Sequence, residues 1–304
     1  MQQPISFQRT DSQPVGTILI TGATGHVGRE LLAQLATTGR SVRAMTRRPG
    51  AIATRPHVEV VRGDFEDPHS LDAALDGVAA VFSMSAQAIF GAPTPTHDEA
   101  LAAACRRAGV RRIVKLSALG GGGRDPESPI VRWVRAAEAT VIESGAEWTL
   151  LRPGRFMSNT LAWAPMLRRG SEVSIPIPMA HRRAASIAPA DVARVAAIAL
   201  TQPGHAGRSY ELSGPESLSP ADELAILGEV LGRRLTLNAL SNEAARVGML
   251  RYGMPEHVVD VVLADKDSQH GAEVLPTLRE VTGHPAQRFA EWAVEQRAAF
   301  LGEG

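Results

Sequence analysis

Residues 18–28 read Ile-Leu-Ile-Thr-Gly-Ala-Thr-Gly-His-Val-Gly, a short apolar strand that runs straight into Gly22, Gly25 and Gly28. A strand that enters G-x-x-G-x-x-G and leaves as a helix, here Arg29 to Ala36, reads as the opening of a dinucleotide-binding βαβ unit. The first glycine permits a tight turn, the second lets the backbone approach a pyrophosphate, and the third lets helix and strand pack closely. Free N–H groups and the positive end of the helix dipole face the phosphates. Gly22, Ala23, Thr24, Gly25, His26, Val27 and Gly28 form the expected cradle, with His26 toward the diphosphate or solvent rather than in a catalytic role.

The next strand, Ser41 to Thr46, indicates which dinucleotide. An NAD site usually ends this strand with an acid for the ribose 2′-OH. No acid stands between Glu30 and Glu59, and the strand ends instead in Thr46-Arg47-Arg48. Guanidinium groups are permanently charged multidentate donors that suit a 2′-phosphate. NADPH/NADP+ is therefore the expected cofactor; the plainer alternative is a solvated basic turn.

Strands at Val58–Val61, Ala79–Met84, Arg112–Leu116 and Glu147–Leu151 alternate with helices at Ser70–Leu75, His97–Ala108 and Pro129–Ser144. This βαβα rhythm predicts an α/β, Rossmann-type doubly wound parallel sheet. Ligands in such sheets sit beyond the carboxyl ends of the strands. That places Asp64 and Phe65, Ser83 and Met84, Ser117, and Pro153, Gly154 and Phe156 at the candidate site, beside the glycine turn and Thr46, Arg47 and Arg48. Two segments past this edge, Ala86–Thr96 and Gly120–Pro129, are glycine- and proline-rich and read either as covers or as plain flexible loops.

After Phe156 the alternation weakens. Met157 to Arg169 reads as helix, Ala185 to Ile187 and Ser209 to Leu212 as strands, and Asp191 as the N-cap of a helix Val192–Leu200. Ser219-Pro220-Ala221-Asp222 is a capping box, and Leu235 to Leu240 is strand-like. The expected organisation is a loose tail (1–16), an NADP-binding region (17–155), and a smaller, mostly C-terminal substrate lobe (156–304), with segments around 185–212 returning to the first. Phe90, Phe156, Met157, Trp163 and Met166 are candidates to line an apolar substrate site; the bland reading of each is ordinary core.

Composition removes other classes. Net charge is zero with 32 basic and 32 acidic residues, so nothing draws the chain to nucleic acid or an anionic membrane. The pairs Arg106-Arg107, Arg111-Arg112 and Arg182-Arg183 read as solvated surface. The one cysteine, Cys105, precludes an intrachain disulfide and reads as core. No two of the nine histidines show metal-ligand spacing on one element, so no metal is expected. No apolar run spans a membrane and the N-terminus lacks a signal-peptide pattern, so a cytoplasmic location is the default. Oligomeric state is open.

The chain resembles the extended, atypical short-chain dehydrogenase/reductases of the NmrA-like group over residues 17 to about 240. The resemblance rests on Thr21–Gly28, Thr46-Arg47, Gly63-Asp64-Phe65, Ile113–Ala118, Glu138, Trp148–Gly154, Phe156-Met157, Asn159 and Asp191–Ala193. It implies that Asp64 and Phe65 flank the adenine and that Pro153 to Phe156 borders the nicotinamide. It places Ser117 at the catalytic-loop serine, as a hydrogen-bond partner for a substrate carbonyl or, alternatively, a simple strand-end cap.

One departure bears on mechanism. Classical short-chain dehydrogenase/reductases carry Tyr-x-x-x-Lys on the helix after the fifth strand, a proton donor and the residue that tunes it. Here the only tyrosines are Tyr210 and Tyr252, followed four residues later by Gly214 and Glu256, and the only lysines are Lys115 and Lys266. Val134 stands where many NmrA-like proteins have a His. Losing a general acid typically costs about 10²–10⁴-fold in rate. A reductase without one points to a substrate that stabilises its own developing charge: a polycyclic aromatic, polyketide-like hydroxyketone or a quinone. An arginine-rich, lysine-poor composition, 30 to 2, suits a high-GC bacterial genome and a tailoring ketoreductase of antibiotic biosynthesis. The alternative is a non-catalytic NADP(H) sensor that contacts a regulator.

Overall fold

A computed structural model of the chain describes residues 16–53, 55–85, 94–119, 128–264 and 270–303. The expected tail lies outside these apart from Gly16, as do most of the two glycine- and proline-rich segments, Phe90 and Lys266. The first half alternates as β1 (Thr17–Ile20), α1 (His26–Ala36), β2 (Val42–Thr46), β3 (Val58–Arg62), α2 (Pro68–Leu75), β4 (Val78–Ser83), α3 (Thr96–Ala108), β5 (Arg112–Leu116), α4 (Pro129–Ile142) and β6 (Glu147–Pro153). Then come α5 (Ala164–Leu167), β7 (Glu172–Ile177), α6 (Pro189–Thr201), β8 (Arg208–Leu212), α7 (Pro220–Leu231) and β9 (Arg234–Ala239). Helices α8 (Asn242–Arg251), α9 (Glu256–Ala264), α10 (Thr277–Thr282), α11 (Phe289–Glu295) and α12 (Arg297–Leu301) complete the chain.

Seven strands form one parallel sheet in the order β3-β2-β1-β4-β5-β6-β8. The order reverses between β1 and β4, which opens the crevice where such folds take their ligands. Central strands are buried on both faces and read as continuous apolar runs; β4 is buried at all six positions. Successive strand residues face opposite sides. Ile18 and Ile20 join Leu31, Leu35 and α6 on one side, while Leu19 joins Leu71, Leu101 and Cys105 on the other. The burial that makes Cys105 core pushes its thiol pKa up to about 12, which leaves it unreactive. The edge strand β3 carries Glu59 and Arg62 at exposed positions, charges that discourage further strand pairing.

A second, two-stranded parallel sheet joins β7 to β9. Its core gathers Met157, Ile175, Leu227, Phe289, Trp292 and Phe300. β7 escapes sequence reading because Glu172 and Pro176 interrupt its pattern and its pairing partner lies far along the chain. α6 and β8 belong to the main sheet's side, against α1 and β6.

Several local expectations are corrected. α1 starts at His26 rather than Arg29, because Gly25 already has extended N-cap geometry. Met157–Trp163 is a 3-10 stretch, followed by the single α turn of α5. Ala185–Ile187 forms no strand; its neighbours Ala184 and Leu218 make one isolated bridge, and Ile187 makes another with Phe156. Asp191 is not the N-cap of α6. Pro189 begins that helix with its fixed φ, and Asp191 lies inside the first turn. There it accepts from the Gln287 N–H at 2.8 Å and pairs with Arg194 at 2.7 Å. Arg112 is not solvated either: it donates to the Leu200 and Gln202 carbonyls, at 3.1 Å each, and pairs with Glu147. The capping box of Ser219 and Asp222 is present.

Candidate functional site

The glycine turn sits at the β1–β4 crevice. Thr21, completely buried, ties the two strand ends together: its backbone N–H donates to the Phe82 carbonyl at 3.1 Å, and its hydroxyl receives the Met84 N–H at 2.8 Å. Gly22 then takes φ +63°, a conformation costly for any residue with a Cβ. The Gly25 N–H closes the turn on the Gly22 carbonyl at 2.9 Å. A Cβ at Gly28 would stand 2.2 Å from that same carbonyl oxygen, so α1 meets the turn backbone to backbone. Ala23, Val27 and Gly28 are buried, Thr24 and Gly25 half-buried, and His26 exposed at the first position of α1. The glycine turn thus brings backbone close to the N-terminus of α1, which fits a diphosphate. Beside it, the Ser83 hydroxyl is buried and has no hydrogen-bond partner among the described residues.

At the end of β2, Thr46 accepts the Arg48 N–H at 3.2 Å. The Arg47 and Arg48 side chains are exposed, and neither forms an ion pair among the described residues. Arg43 is different: it is committed to Glu59 and to the Ala74 and Asp76 carbonyls. Arg47→Ala should therefore weaken NADPH binding by about 1.5–3 kcal/mol, the range for a hydrogen bond to a charged group. Titration of NADPH and NADH checks this; an equal loss for both cofactors contradicts a 2′-phosphate role. Next along the edge, the Asp64 carboxylate accepts the Glu66 N–H at 3.2 Å, and Phe65 stacks on His97 with ring centroids 5.0 Å apart.

Past β5, the Ser117 N–H donates to the Leu151 carbonyl at 2.7 Å and its hydroxyl donates to Glu138 at 2.5 Å. Glu138, 3% exposed on α4, is gripped by Arg152 through two bonds of 2.8 and 2.6 Å. Those bonds push the Arg152 pKa still higher, so the carboxylate faces a permanent cation. The Gly154 N–H donates to the Leu212 carbonyl at 2.9 Å, which fixes the chain after Pro153 against β8. Arg155 pairs with the buried Glu223 of α7 and donates to Ser186 at 2.8 Å.

Deeper in, Lys115 and Asp98 form a buried ion pair at 2.6 Å, with the Ser85 hydroxyl on the second Asp98 oxygen at 3.0 Å. Lys115 lies inside β5 and is committed to this pair. Asp98 is the partner that sequence reading missed. A lysine within an apolar central strand needs a buried acid, and Asp98 on α3 supplies it.

The proposed substrate wall is only partly brought together. Phe90 lies outside the described residues. Met157 is 1% exposed and belongs to the small lobe's core, so it presents no surface to a ligand; its N–H is tied to the Ile187 carbonyl at 3.0 Å. Phe156 is half-buried against the main core, whereas Trp163 and Met166 are half-buried against the small one. Neither tyrosine lies on α4. Tyr210 is bonded to His205 at 2.8 Å and burial raises its pKa, while Tyr252 is almost wholly exposed beyond α8. Val134 is buried on α4. Among the described residues no cluster of His, Cys, Asp and Glu could hold a metal, and no helix is long and apolar enough to cross a membrane.

The NAD(P)H-binding family model matches residues 22–203, more than half of the chain. The chain is 43% identical over 291 residues to the (4-alkanoyl-5-oxo-2,5-dihydrofuran-3-yl)methyl phosphate reductase of Streptomyces griseus, covering 94% of this chain and 100% of that protein. It is 35% identical over 299 residues to an NAD(P)H azoreductase of Xenophilus azovorans, covering 93% and 99%. Among solved structures, the NADPH complex of the Escherichia coli quinone oxidoreductase QOR2 superposes with a TM-score of 0.75 at 29% identity, covering 91% of this chain and 99% of that one. With the glycine turn, the basic strand end and the parallel sheet in place, the chain belongs to the NAD(P)H-binding family and is an NADPH-dependent oxidoreductase.

Proposed function

We propose that the chain reduces a conjugated, electron-poor acceptor whose product anion is delocalised: an acyl-dihydrofuranone, a quinone or a hydroxylated aromatic ketone. The observation that carries this reading is the fate of the Ser117 proton. The hydroxyl is donated to the Glu138 carboxylate and α4 offers no tyrosine, so among the described residues neither Ser117 nor a tyrosine of α4 is set to hand a proton to a substrate oxygen. Bound NADPH supplies the hydride. The residues of the chain hold its phosphates, orient its reactive face and exclude water, while the substrate carries the charge itself.

The relatives support this through the chemistry of their names. A 4-alkanoyl-5-oxo-2,5-dihydrofuran holds an alkene conjugated to two carbonyls. Hydride added to the far alkene carbon breaks the C=C bond and leaves an enolate spread over both oxygens, which water then protonates. Quinones likewise give a stabilised oxyanion.

NADPH oxidation should be followed with acyl-dihydrofuranones, with and without a phosphate ester, and with quinones and peri-hydroxy aromatic ketones. The O-methyl ethers of those ketones and simple cyclic ketones complete the panel. Conjugated acceptors should turn over about 10²–10⁴-fold faster than simple ketones. Equal rates for simple ketones mean that an acid exists elsewhere. No turnover anywhere, with tight NADP(H) binding, favours a sensor. The methyl ethers decide whether a neighbouring phenol assists.

A further inference from the structure

We infer that Ser117 serves as a hydrogen-bond acceptor, locked in that role by Glu138 and Arg152, and that the donor it receives is the carboxamide N–H₂ of the nicotinamide. The assignment goes beyond the substrate reading and does not depend on it.

A serine hydroxyl has one proton. At Ser117 that proton has a fixed destination: Oγ stands 2.5 Å from Glu138 Oε1, a short, charge-assisted contact. The carboxylate cannot reverse the bond by donating. Its Oε1 also receives Arg152 Nε at 2.8 Å and its Oε2 receives Arg152 Nη2 at 2.6 Å. Protonating it would set an O–H against a guanidinium. Glu138 is 3% exposed, so water does not compete for the arrangement. Ser117 itself is half-buried and held in place by its N–H bond to the Leu151 carbonyl at 2.7 Å. What it presents outward is lone-pair density.

A reacting carbonyl or quinone oxygen is also an acceptor, so it gains nothing from this oxygen. The complementary group must carry an N–H or O–H. At the carboxyl edge of this sheet the cofactor brings such a group at its reactive end, the carboxamide of the nicotinamide. Glu138 and Arg152 are then positioning residues: they act through Ser117 by choosing which way its hydroxyl points.

The test uses binding rather than turnover. The probes are NADPH and its 3-acetylpyridine analogue, in which a methyl ketone keeps the carbonyl and removes the N–H₂. Dissociation constants are measured for the full chain and its variants by cofactor fluorescence. Ser117→Ala should weaken NADPH about tenfold and the analogue less than twofold. Ser117→Thr, which keeps the hydroxyl, should restore the wild-type ratio of the two constants. Glu138→Ala removes the acceptor and frees the Ser117 hydroxyl proton, so it should erase the same ratio with Ser117 still present. Thermal unfolding of each variant identifies any that fail to fold, and Ser117→Ala leaves the Glu138–Arg152 pair intact. A loss in Ser117→Ala that is equal for both cofactors, or absent for both, overturns the assignment.

Discussion

Replacing Asp98 with Ala is expected to lower the unfolding free energy by about 3–5 kcal/mol. Lys115 would be left as an uncompensated ammonium in the sheet interior: the two side chains are 4% and 0% exposed. The pair itself adds little net stability, because the cost of removing both charges from water offsets most of their attraction. The double replacement Asp98→Leu with Lys115→Met should therefore recover most of the loss, a non-additivity that a double-mutant cycle in urea measures directly. Additive losses would mean that the two side chains act independently. The same variants separate stability from ligand binding. Asp98 also holds Ser85, one residue beyond Met84 at the turn, so the stable double variant should still bind NADPH more weakly than wild type.

Gly28→Ala is expected to weaken NADPH binding at least a hundredfold, about 2.7 kcal/mol. The added Cβ would lie 2.2 Å from the Gly22 oxygen, 2.8 Å from its carbon and 2.9 Å from Ala23 Cα. All three are backbone atoms of the turn itself. Gly22 cannot yield, since its positive φ and the Gly25 hydrogen bond fix it. Relief comes from lifting α1 away from the turn, which misdirects the helix N-terminus from the phosphates. Overpacking of this kind also costs about 1–3 kcal/mol of stability. Gly25→Ala is the control. Its Cβ would meet only the Gly22 oxygen, at 3.2 Å, so it should disturb the fold far less. Binding of NADPH by Gly28→Ala at wild-type strength would remove the turn from the cofactor site.

The first half of the chain was legible because its signals are local. An apolar strand, a glycine turn and a helix occupy Thr17 to Ala36 without a break, and each later strand up to β6 is a short, mainly apolar segment set off by turn residues from the helix that follows or precedes it. The second half depends on partners far apart in sequence. β7 is a strand only because β9 pairs with it, and Ala184 to Ile187 is extended only because Phe156 and Leu218 flank it. Asp191 looked like a cap because its residue type suits one; tertiary contacts with Gln287 and Arg194 claimed it instead. At the site, Lys115 in a strand announced a buried charge but not its partner. The motif placed Ser117, yet the direction of its hydroxyl depends on Glu138, 21 positions away, and on Arg152 behind it.

The order in which the two sheets are completed affects how the chain emerges from the ribosome. After β6 the polypeptide leaves the main sheet, lays down β7, and returns with α6 and β8 before β9 is made. The outer edge of β6 therefore stays open until Leu212 has been synthesised, and β7 has no partner until Ala239 has. From the completion of β7 at Ile177 until β8 is made, a nascent chain leaves both the β6 edge and β7 unpaired. Open edges of this kind recruit other chains, so this interval is the one in which the order of the strands leaves the nascent chain open to mispairing.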